Sequence, residues 1–443
     1  MTAHPPPLDH ALARLRAVPT GPARYGRIRS VVGLLVEATG LQAALGELCY
    51  LHEGDRPGGR RVKAEVVGVR GGTTVLIPLE ETVGLRANGL VEPARLPLTV
   101  PVGPALLGRV VDASGRPIDG KGPLRVEGQQ PVQADPPSPL TRQLIGEPMK
   151  TGVRSIDAML TLGKGQRVGI FAGSGVGKST LLGMIARRAQ ADVNVIAMIG
   201  ERGREVREFV EDTLGEEGLA RSVVVAVTGD QAAMSRVKGA SVAMAIAEHF
   251  RDEGQDVLLM MDSVTRVAQA QREVGLAVGE PPTTRGYTPS VFALLPRLLE
   301  RAGPGATGSI TGIFTVLVDG GDMDEPVADA TRGILDGHVV LSRKLAEGGH
   351  FPAIDVLQSV SRVMPRVASP EALAAAQEAR GLLAGHAEVE ALLRVGAYEK
   401  GQDAATDRAV AANPALTAFL RQGVEEPPPA DAAADLAGVL ATV

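Results

Sequence analysis

The sequence predicts an α/β protein in three parts: a small N-terminal β-barrel, a central domain with a mainly parallel sheet, and a C-terminal helical domain. Short β-like runs occupy the N-terminal part. Apolar strands then alternate with helical patterns, which favours a parallel sheet covered by helices. Alanine- and leucine-rich helical stretches follow. We expect an amphipathic helix over residues 1–22, the barrel over 23–98, the central domain over 99–366 and the helical domain over 367–443.

The composition indicates a folded chain. Its 443 residues suffice for about three domains, and 44% hydrophobic residues are ample for their cores. Cys49 is the single cysteine, so neither an internal disulfide nor a cysteine-based zinc site is available. A reducing cytoplasm is therefore the expected compartment.

We expect no direct contact with a membrane, and nucleic acid is not an expected partner. The first residues lack a basic start followed by an apolar core, and the longest apolar runs, such as 223–227 and 257–261, are far shorter than a bilayer span. We expect any membrane association to occur through partners. A net charge of −5 and an aromatic content of 2% do not match a basic, stacking nucleic-acid surface.

The N-terminal segment carries a short amphipathic pattern. Leu8, Ala11, Leu12 and Leu15 recur at helical spacing before a Gly-Pro breaker at residues 21–22. A helix this short is not stable alone in water. Two interpretations remain open, namely a frayed tail and a helix that docks on a partner.

The next segment changes to β-like runs. Runs at 62–66 and 73–79 are separated by glycine-containing turn signals, which predicts a small β-barrel or sandwich. The stretch from 101 to 148 is rich in proline and glycine, and predicts an extended, ordered connection.

Between residues 150 and 365 the strand candidates alternate with helices. They are 167–171, 193–199, 223–227, 257–261, 310–317 and 339–341. In a parallel sheet the loops at the carboxyl ends of such strands carry the chemistry.

The first of these strands runs into a glycine-rich turn and then an apolar helix face, which is the layout of a phosphate-binding loop. Backbone N–H groups and the helix N-terminus would bind phosphate oxygens, Lys178 would bridge the β- and γ-phosphates, and Ser179 suits Mg²⁺. Ala172 replaces the first glycine of the G-x-x-x-x-G-K-[ST] pattern, which requires a negative φ there. The alternative is a glycine-rich surface turn. The candidate nucleotide-binding residues are Gly173, Ser174, Gly175, Val176, Gly177, Lys178, Ser179 and Thr180.

Two later strands end in charged residues. The apolar run 257–261 ends in Asp262, where phosphate-loop enzymes keep the aspartate that holds the water shell of the metal. The strand ending at 199 is followed by Gly-Glu-Arg-Gly-Arg-Glu, and Glu201 and Arg202 could orient water and take developing charge. A solvated charge run is the alternative interpretation.

The helical signals after Pro365 open with Ser-Pro-Glu at 369–371. Ser369 is a good N-cap, proline suits the first turn, and the carboxylate complements the helix dipole. A run of glutamates and prolines at 425–429 predicts a flexible interruption in the helical domain.

The run Pro-Ala-Ile-Asp-Val-Leu-Gln-Ser-Val-Ser at 352–361, followed by Arg362, resembles the signature of the rotary ATP synthase α/β family. The run at 200–205 resembles the catalytic subunits of that family. The resemblance is strongest to the flagellum-specific export ATPases of type III secretion and covers nearly the whole chain. Ala172 is itself typical of them. Further marks lie at 279–282, 285–287, 335–338 and 395–398.

The resemblance implies a RecA-like ATPase domain, ATP and Mg²⁺, and the following site roles. Lys178 would contact the phosphates, Glu201 would position the attacking water, and Arg202 would lie near the γ-phosphate. Ser179 would bind Mg²⁺ and Asp262 its outer shell. Phe351 falls where the family stacks an aromatic ring on adenine, and Arg362 falls where an arginine finger enters the site of the neighbouring subunit. Without the resemblance, Phe351 would be a core aromatic and Arg362 a surface ion pair.

The resemblance also implies a homohexameric ring in the cytoplasm, associated peripherally with the inner-membrane export apparatus. Its expected partners are a regulatory stator-like subunit at the N-terminus, a stalk protein in the ring, the export gate and chaperone–substrate complexes. The injectisome ATPase is the alternative within this class. A non-catalytic ring subunit would lack Glu201. A hexameric RNA translocase would need a basic, aromatic RNA site, which residues 25–98 do not show.

Overall fold

The computed structural model describes residues 25–56 and 59–443. The amphipathic helix predicted for residues 1–22 lies outside the described residues. The chain forms two compact units, one that ends at Pro97 and one that spans Leu98–Val443. The predicted division of the second unit at residue 366 stays a prediction. No helix in the described ranges combines the length and apolar character needed to cross a bilayer.

The first unit is a closed antiparallel barrel, so the predicted barrel is confirmed and the sandwich alternative is wrong. Its strands follow one another in the order β1-β2-β5-β4-β3-β6, and β6 pairs with β1 to close it. Alternate side chains point inward and fill the barrel with Ile28, Val36, Leu51 and Leu76, none more than 1% exposed. The strands are β1 (Gly26–Val32), β2 (Leu35–Thr39), β3 (Glu47–His52), β4 (Arg61–Arg70), β5 (Thr73–Pro78) and β6 (Leu90–Pro97).

The second unit is built on one large sheet. Within the described chain its strand order is β19-β18-β12-β17-β15-β13-β14-β8, and β16 pairs with β17 at its side. The remaining four strands form two short antiparallel pairs, β7 with β9 and β10 with β11. The strands are β7 (Thr99–Val102), β8 (Arg109–Val111), β9 (Gly128–Pro131), β10 (Pro148–Met149), β11 (Leu162–Gly163), β12 (Arg167–Ala172), β13 (Val193–Glu201), β14 (Ser222–Thr228), β15 (Asp256–Asp262), β16 (Gly303–Pro304), β17 (Ser309–Leu317), β18 (Gly337–Leu341) and β19 (Ile354–Ser361).

All six predicted central strands are present and mutually parallel where they pair, which confirms the mainly parallel sheet. Three further strands of this sheet were not predicted, and one of them, β16, is a short strand that pairs antiparallel with β17. The proline- and glycine-rich connection contributes β8, which pairs in parallel with β14 at the far edge. The signature run forms β19, an antiparallel edge strand against β18. Its burial pattern is irregular because the pairing with β18 shifts register between His338 and Val340, and this break interrupts the alternation that predicts strands.

Helices cover the sheet and form the C-terminal region. The long helix α5 packs against β13, β14 and β15 and is buried almost all round. The helices are α1 (Arg154–Met159), α2 (Lys178–Arg188), α3 (Gly203–Glu208), α4 (Gly215–Ala220), α5 (Ala233–Asp252), α6 (Val264–Ala277), α7 (Pro289–Leu299), α8 (Pro326–Ile334), α9 (Arg343–Glu347), α10 (Met364–Val367), α11 (Pro370–Arg394), α12 (Ala404–Leu420) and α13 (Ala432–Leu440).

The C-terminal helices begin at side-chain caps. Ser369 accepts a hydrogen bond from the N–H of Ala372, as the sequence predicts, and Asp403 and Asp431 cap α12 and α13 in the same way. The connector 421–431, between α12 and α13, contains the predicted glutamate–proline interruption. The start of each helix is thus set by a local side-chain contact.

Candidate functional site

The strands β12, β13, β15, β17 and β18 are parallel, so their carboxyl ends share one edge of the sheet. The glycine-rich loop 173–177 leaves β12 at this edge and α2 begins at Lys178. Gly177 has a φ of 88° and a left-handed conformation, which a side-chain-bearing residue adopts only with strain. Ala172 is the last residue of β12, is buried and does not have a positive φ. The alanine therefore fits without strain.

Three charged side chains meet beside the loop. The Lys178 ammonium contacts the Asp262 carboxylate, and its Nζ lies 3.9 Å from Oε1 of Glu201. These side chains are 13%, 8% and 12% exposed for Lys178, Asp262 and Glu201 respectively. Thr315 on β17 donates a 2.7 Å hydrogen bond to Oδ1 of Asp262. The structure therefore brings together the predicted cation and both predicted carboxylates.

A β-bulge at Gly200 sets the direction of Glu201. The pairing of β13 with β14 shifts register between Ile199 and Glu201, and Gly200 has a φ of 75°. A Cβ at Gly200 would lie 2.8 Å from Cβ of Arg266, so a side chain there would also clash. The bulge changes the direction of the backbone at the end of β13, where the Glu201 side chain turns toward the loop.

The environment of Glu201 favours its neutral form. Burial is the main cause, and the Asp262 carboxylate adds to it, so that the pKa of Glu201 rises to about 7. Lys178 opposes the shift, whereas Glu205 reinforces it. A carboxyl group with a pKa near neutrality is suited to exchange a proton with water or to orient it.

The hydroxyl of Ser179 and the carboxylate of Asp262 are the groups available to a metal. Ser179 lies exposed in the first turn of α2. Among the residues the structure describes, no group of three or more His, Cys, Asp or Glu side chains is placed to hold a metal ion. Mg²⁺ usually retains several waters and binds through one or two protein groups plus substrate phosphates, so this donor set fits it.

Phe351 lies over the phosphate-binding loop. A Cβ added to Gly177 would lie 3.6 Å from two carbons of the Phe351 ring. The ring is 48% exposed, so the interpretation as a core aromatic is wrong. An exposed aromatic face beside a glycine-rich loop is a surface on which a nucleotide base can stack.

Arg202 is not drawn into the charged cluster. Its side chain is 81% exposed, and its nearest ion-pair partner is Glu205, with an N–O distance of 3.9 Å. The predicted place of Arg202 near a γ-phosphate stays a prediction.

Arg362 lies at the opposite edge of the sheet from the loop, where the amino ends of the parallel strands meet. It follows Ser361, which pairs with Gly337 at the start of β18, whereas Leu341 at the other end of β18 pairs beside Ala172. The length of β18 puts about 13 Å between the two edges. The Arg362 side chain is exposed and, within the described residues, makes no ion pair, so the alternative interpretation as a surface ion pair finds no support.

Two residues near the loop were missed by sequence reasoning. Thr315 is one of three hydroxyl residues in the buried strand β17, beside Ser309 and Thr311, so its sequence context gave no signal that it would contact Asp262. Arg343 begins α9 directly after β18 and donates a 3.4 Å hydrogen bond to the carbonyl of Ser174 in the loop. Its position just beyond a parallel strand next to β12 could have indicated it.

The strand, the glycine-rich loop, the lysine at the start of the helix and the two strand-end carboxylates define a P-loop nucleotide-binding domain. The chain belongs to the ATP synthase alpha/beta family, and within it to the ATPases of flagella and type III secretion systems. Three family models match it. The beta-barrel domain matches residues 28–94, the nucleotide-binding domain matches 152–361, and the T3SS EscN ATPase C-terminal domain matches 368–436.

Relatives match along most of their length. The chain is 54% identical to the flagellum-specific ATP synthase of Bacillus subtilis over 406 residues, which cover 91% of this chain and 92% of the relative. It is 52% identical to the type 3 secretion system ATPase of Xanthomonas euvesicatoria over 426 residues, 96% of each chain.

Solved structures agree with this fold. The assembled ATPase EscN from enteropathogenic E. coli superposes with a TM-score of 0.87 at 44% identity, covering 94% of this chain and all of EscN. EscN in complex with its central stalk EscO gives a TM-score of 0.86 at 45% identity, with the same coverage. The α/β class, the barrel and the C-terminal helical region are therefore confirmed.

Proposed function

We propose that this protein is a Mg²⁺-dependent ATPase that works as a homohexameric ring and energises protein export through a flagellar apparatus. The observation that carries the proposal is the buried contact of Lys178 with Asp262 beside Glu201, at the mouth of the glycine-rich loop. A site that only held nucleotide would not need a carboxyl group of raised pKa at this point.

Each residue of the cluster has a distinct role in hydrolysis. Lys178 exchanges its contact with Asp262 for the β- and γ-phosphates when ATP enters. Ser179 and Asp262 are the residues that would hold Mg²⁺, Ser179 through its hydroxyl and Asp262 through the water shell of the ion. Glu201 orients the attacking water. When bound, Mg²⁺ would supply positive charge that offsets the negative charge of the phosphates.

Arg362 explains why a ring is needed. It cannot reach the loop of its own chain across the sheet, but a neighbouring copy can present it there. One chain that carries both the water-orienting carboxylate and the finger can complete every site of a ring made only of itself. The solved structure of assembled EscN supports this arrangement.

One of the proposed partners is supported by a solved relative. A central stalk protein in the ring is supported by the EscN–EscO complex. We further propose a stator-like regulatory subunit at the N-terminus, and the export gate and chaperone–substrate complexes as clients. The proposed location is the cytoplasmic side of the inner-membrane export apparatus.

The injectisome is the second candidate, because a type 3 secretion system ATPase is 52% identical to this chain. The genes beside the one that encodes this chain distinguish the two apparatuses. A non-catalytic ring subunit is disfavoured by Glu201 and its position near Lys178. An RNA translocase is disfavoured by the family to which the chain belongs.

The test is the ATPase rate per subunit as a function of protein concentration, with light scattering on the same samples. We expect slow hydrolysis by dilute monomer and a steep rise as rings form. We also expect loss of activity when EDTA removes Mg²⁺ and recovery when Mg²⁺ is restored. A rate per subunit that stays constant from monomer to ring would contradict the proposed ring mechanism.

A further inference from the structure

Gln422 is a buried polar residue in the connector 421–431, with 4% of its surface exposed. Its side chain bridges two backbone groups at the start of α1. Oε1 accepts a 2.8 Å hydrogen bond from the N–H of Arg154, and Nε2 donates a 3.1 Å hydrogen bond to the carbonyl of Gly152. A buried amide whose two ends both bond to backbone fixes the chain that carries it.

The backbone of Gln422 reaches the nucleotide site. Its N–H donates a 3.0 Å hydrogen bond to the carbonyl of Phe351. Phe351 lies between α9 and β19, and its ring is half-exposed over Gly177. Because so little protein covers the ring, the orientation of the ring depends on how firmly the backbone at Phe351 is held.

Other contacts tie the same connector to the nucleotide-binding part. The Arg154 guanidinium donates to the carbonyls of Phe419 and Arg421 and to the Glu426 carboxylate. The Arg188 guanidinium, at the end of α2, donates to the carbonyl of Val424. Gln422 is the member of this set that contacts both the start of α1 and Phe351.

We infer that Gln422 is a positioning residue for the adenine platform: its side-chain amide anchors the connector so that its backbone N–H holds Phe351 over the phosphate-binding loop. The inference rests on the proposed ATPase function, in which Phe351 stacks on adenine. The C-terminal region then positions the residue that binds the adenine base, and the central sheet positions the residues that bind the phosphates.

The test replaces Gln422 by methionine, which has a similar length and cannot make the two side-chain hydrogen bonds. The matched control is Gln402→Met, because Gln402 is exposed and its side chain donates a 2.6 Å hydrogen bond to the nearby Glu399 carboxylate rather than to a distant backbone group. Both variants are assayed for the KM and kcat of ATP hydrolysis and for inhibition by inorganic triphosphate. This inhibitor has the phosphates but lacks the base.

We expect Gln422→Met to raise the KM for ATP about fivefold, part of the loss typical when one base–aromatic stack is removed. The inhibition constant of inorganic triphosphate and the kcat should not change. Gln402→Met should behave as wild type. An equal loss of affinity for ATP and for inorganic triphosphate would show general damage and would overturn the inference, as would an unchanged KM for ATP.

A direct probe of the ring is available because the chain has no tryptophan. In Phe351→Trp, the single indole reports both base stacking, as quenching by ATP, and ring mobility, as fluorescence anisotropy. Adding Gln422→Met should lower the anisotropy without nucleotide and weaken the quenching. Unchanged anisotropy would contradict the positioning role. Should Gln422→Met fail to fold, Gln422→Leu serves instead, with the same expected results, because it also removes both side-chain hydrogen bonds and adds no buried charge.

The variant Phe351→Ala shows whether a negative result concerns the proposed base site or only the positioning role of Gln422. If Phe351→Ala leaves the KM for ATP unchanged, Phe351 is not the platform, and the proposed base site is wrong. If Phe351→Ala raises the KM but Gln422→Met does not, the base site stands and the positioning role of Gln422 fails.

Discussion

The carboxyl ends and the amino ends of the parallel strands form two edges of the central sheet. The charged residues at these two edges differ in exposure and in whether they are paired. At the carboxyl edge, the side chains of Lys178, Glu201 and Asp262 are at most 13% exposed, and Lys178 lies beside both carboxylates within a single chain. At the opposite edge, Arg362 is exposed, and its backbone N–H donates a 3.0 Å hydrogen bond to the carbonyl of Asp336. The first edge is assembled by folding, whereas the second has a cation without a partner in the described chain.

This difference indicates which part of the site depends on the assembly of subunits into a ring. The cluster at the carboxyl edge satisfies itself, because Lys178 compensates Asp262 and the surroundings favour the neutral form of Glu201. An exposed guanidinium without a carboxylate gains its interaction only from a group outside the chain. We therefore expect mutations at the carboxyl edge to act within a subunit, and mutations at Arg362 to act on the neighbouring subunit.

The largest expected effect is that of Arg362→Ala. An arginine that stabilises charge developing on the γ-phosphate contributes about 10³–10⁵ in turnover. Arg362→Ala should therefore bind ATP, form rings and remain nearly inactive at any protein concentration. The measurement is steady-state ATPase activity beside nucleotide binding and light scattering. Wild-type activity in this variant would remove the distinction between the two edges.

A mixture of Arg362→Ala with Lys178→Ala sharpens the same comparison. Each variant alone lacks one half of every site. In mixed rings, roughly a quarter of the interfaces pair an intact loop from the first variant with an intact finger from the second. Activity should therefore appear on mixing. The control is each variant mixed with itself, and no recovery despite mixed rings would argue that Arg362 acts within its own subunit.

Glu201→Gln should give the next largest loss, about 10²–10⁴ in kcat, because the amide cannot accept a proton from the attacking water. ATP binding should persist, since Lys178 and the glycine-rich loop still meet the phosphates. Equilibrium binding of ATP and single-turnover hydrolysis separate the two steps. Near wild-type turnover would show that Glu201 does not act on the water.

How much of this arrangement the sequence predicts differs between the two edges. Lys178, Glu201 and Asp262 each end or follow an apolar strand, so the rule for parallel sheets is sufficient to predict that they share one edge. The bulge at Gly200 and the hydrogen bond from Thr315 were not predicted, because they depend on pairing across strands.

The opposite edge, where Arg362 lies, was harder to predict. The irregular exposure of β19 hides its alternation, so the antiparallel direction that carries Arg362 away from the loop was not anticipated from the pattern. Contacts such as those of Gln422 join residues about 70 or 270 positions apart, and no local pattern records them.

The raised pKa of Glu201 predicts a pH dependence that belongs to the carboxyl edge. With a pKa of about 7, Glu201 is mostly protonated below neutrality and mostly ionised above it. Because the ionised form accepts the proton, kcat/KM should rise with pH through about 7 and fall about tenfold per pH unit below it. Lys178, Asp262 and Glu205 are the charged groups that set this value. The rise should persist in the residual activity of Arg362→Ala, and its absence from wild type would contradict the role of Glu201.

The smallest expected effect is that of Thr315→Val, which tests how redundantly the carboxyl edge is held. The substitution keeps the shape of the buried side chain and removes the hydroxyl that donates to Asp262. Asp262 retains its contact with Lys178, so the carboxylate loses one partner of two rather than its only one. Since a hydrogen bond to a charged group contributes about 1.5–3 kcal/mol and the remaining contact absorbs part of that loss, we expect kcat to fall roughly tenfold at most. Steady-state kinetics at saturating Mg²⁺ measure this, with the Mg²⁺ concentration for half-maximal activity as a second readout. A loss of kcat as large as that of Arg362→Ala would mean that turnover depends on Thr315 as strongly as it depends on Arg362.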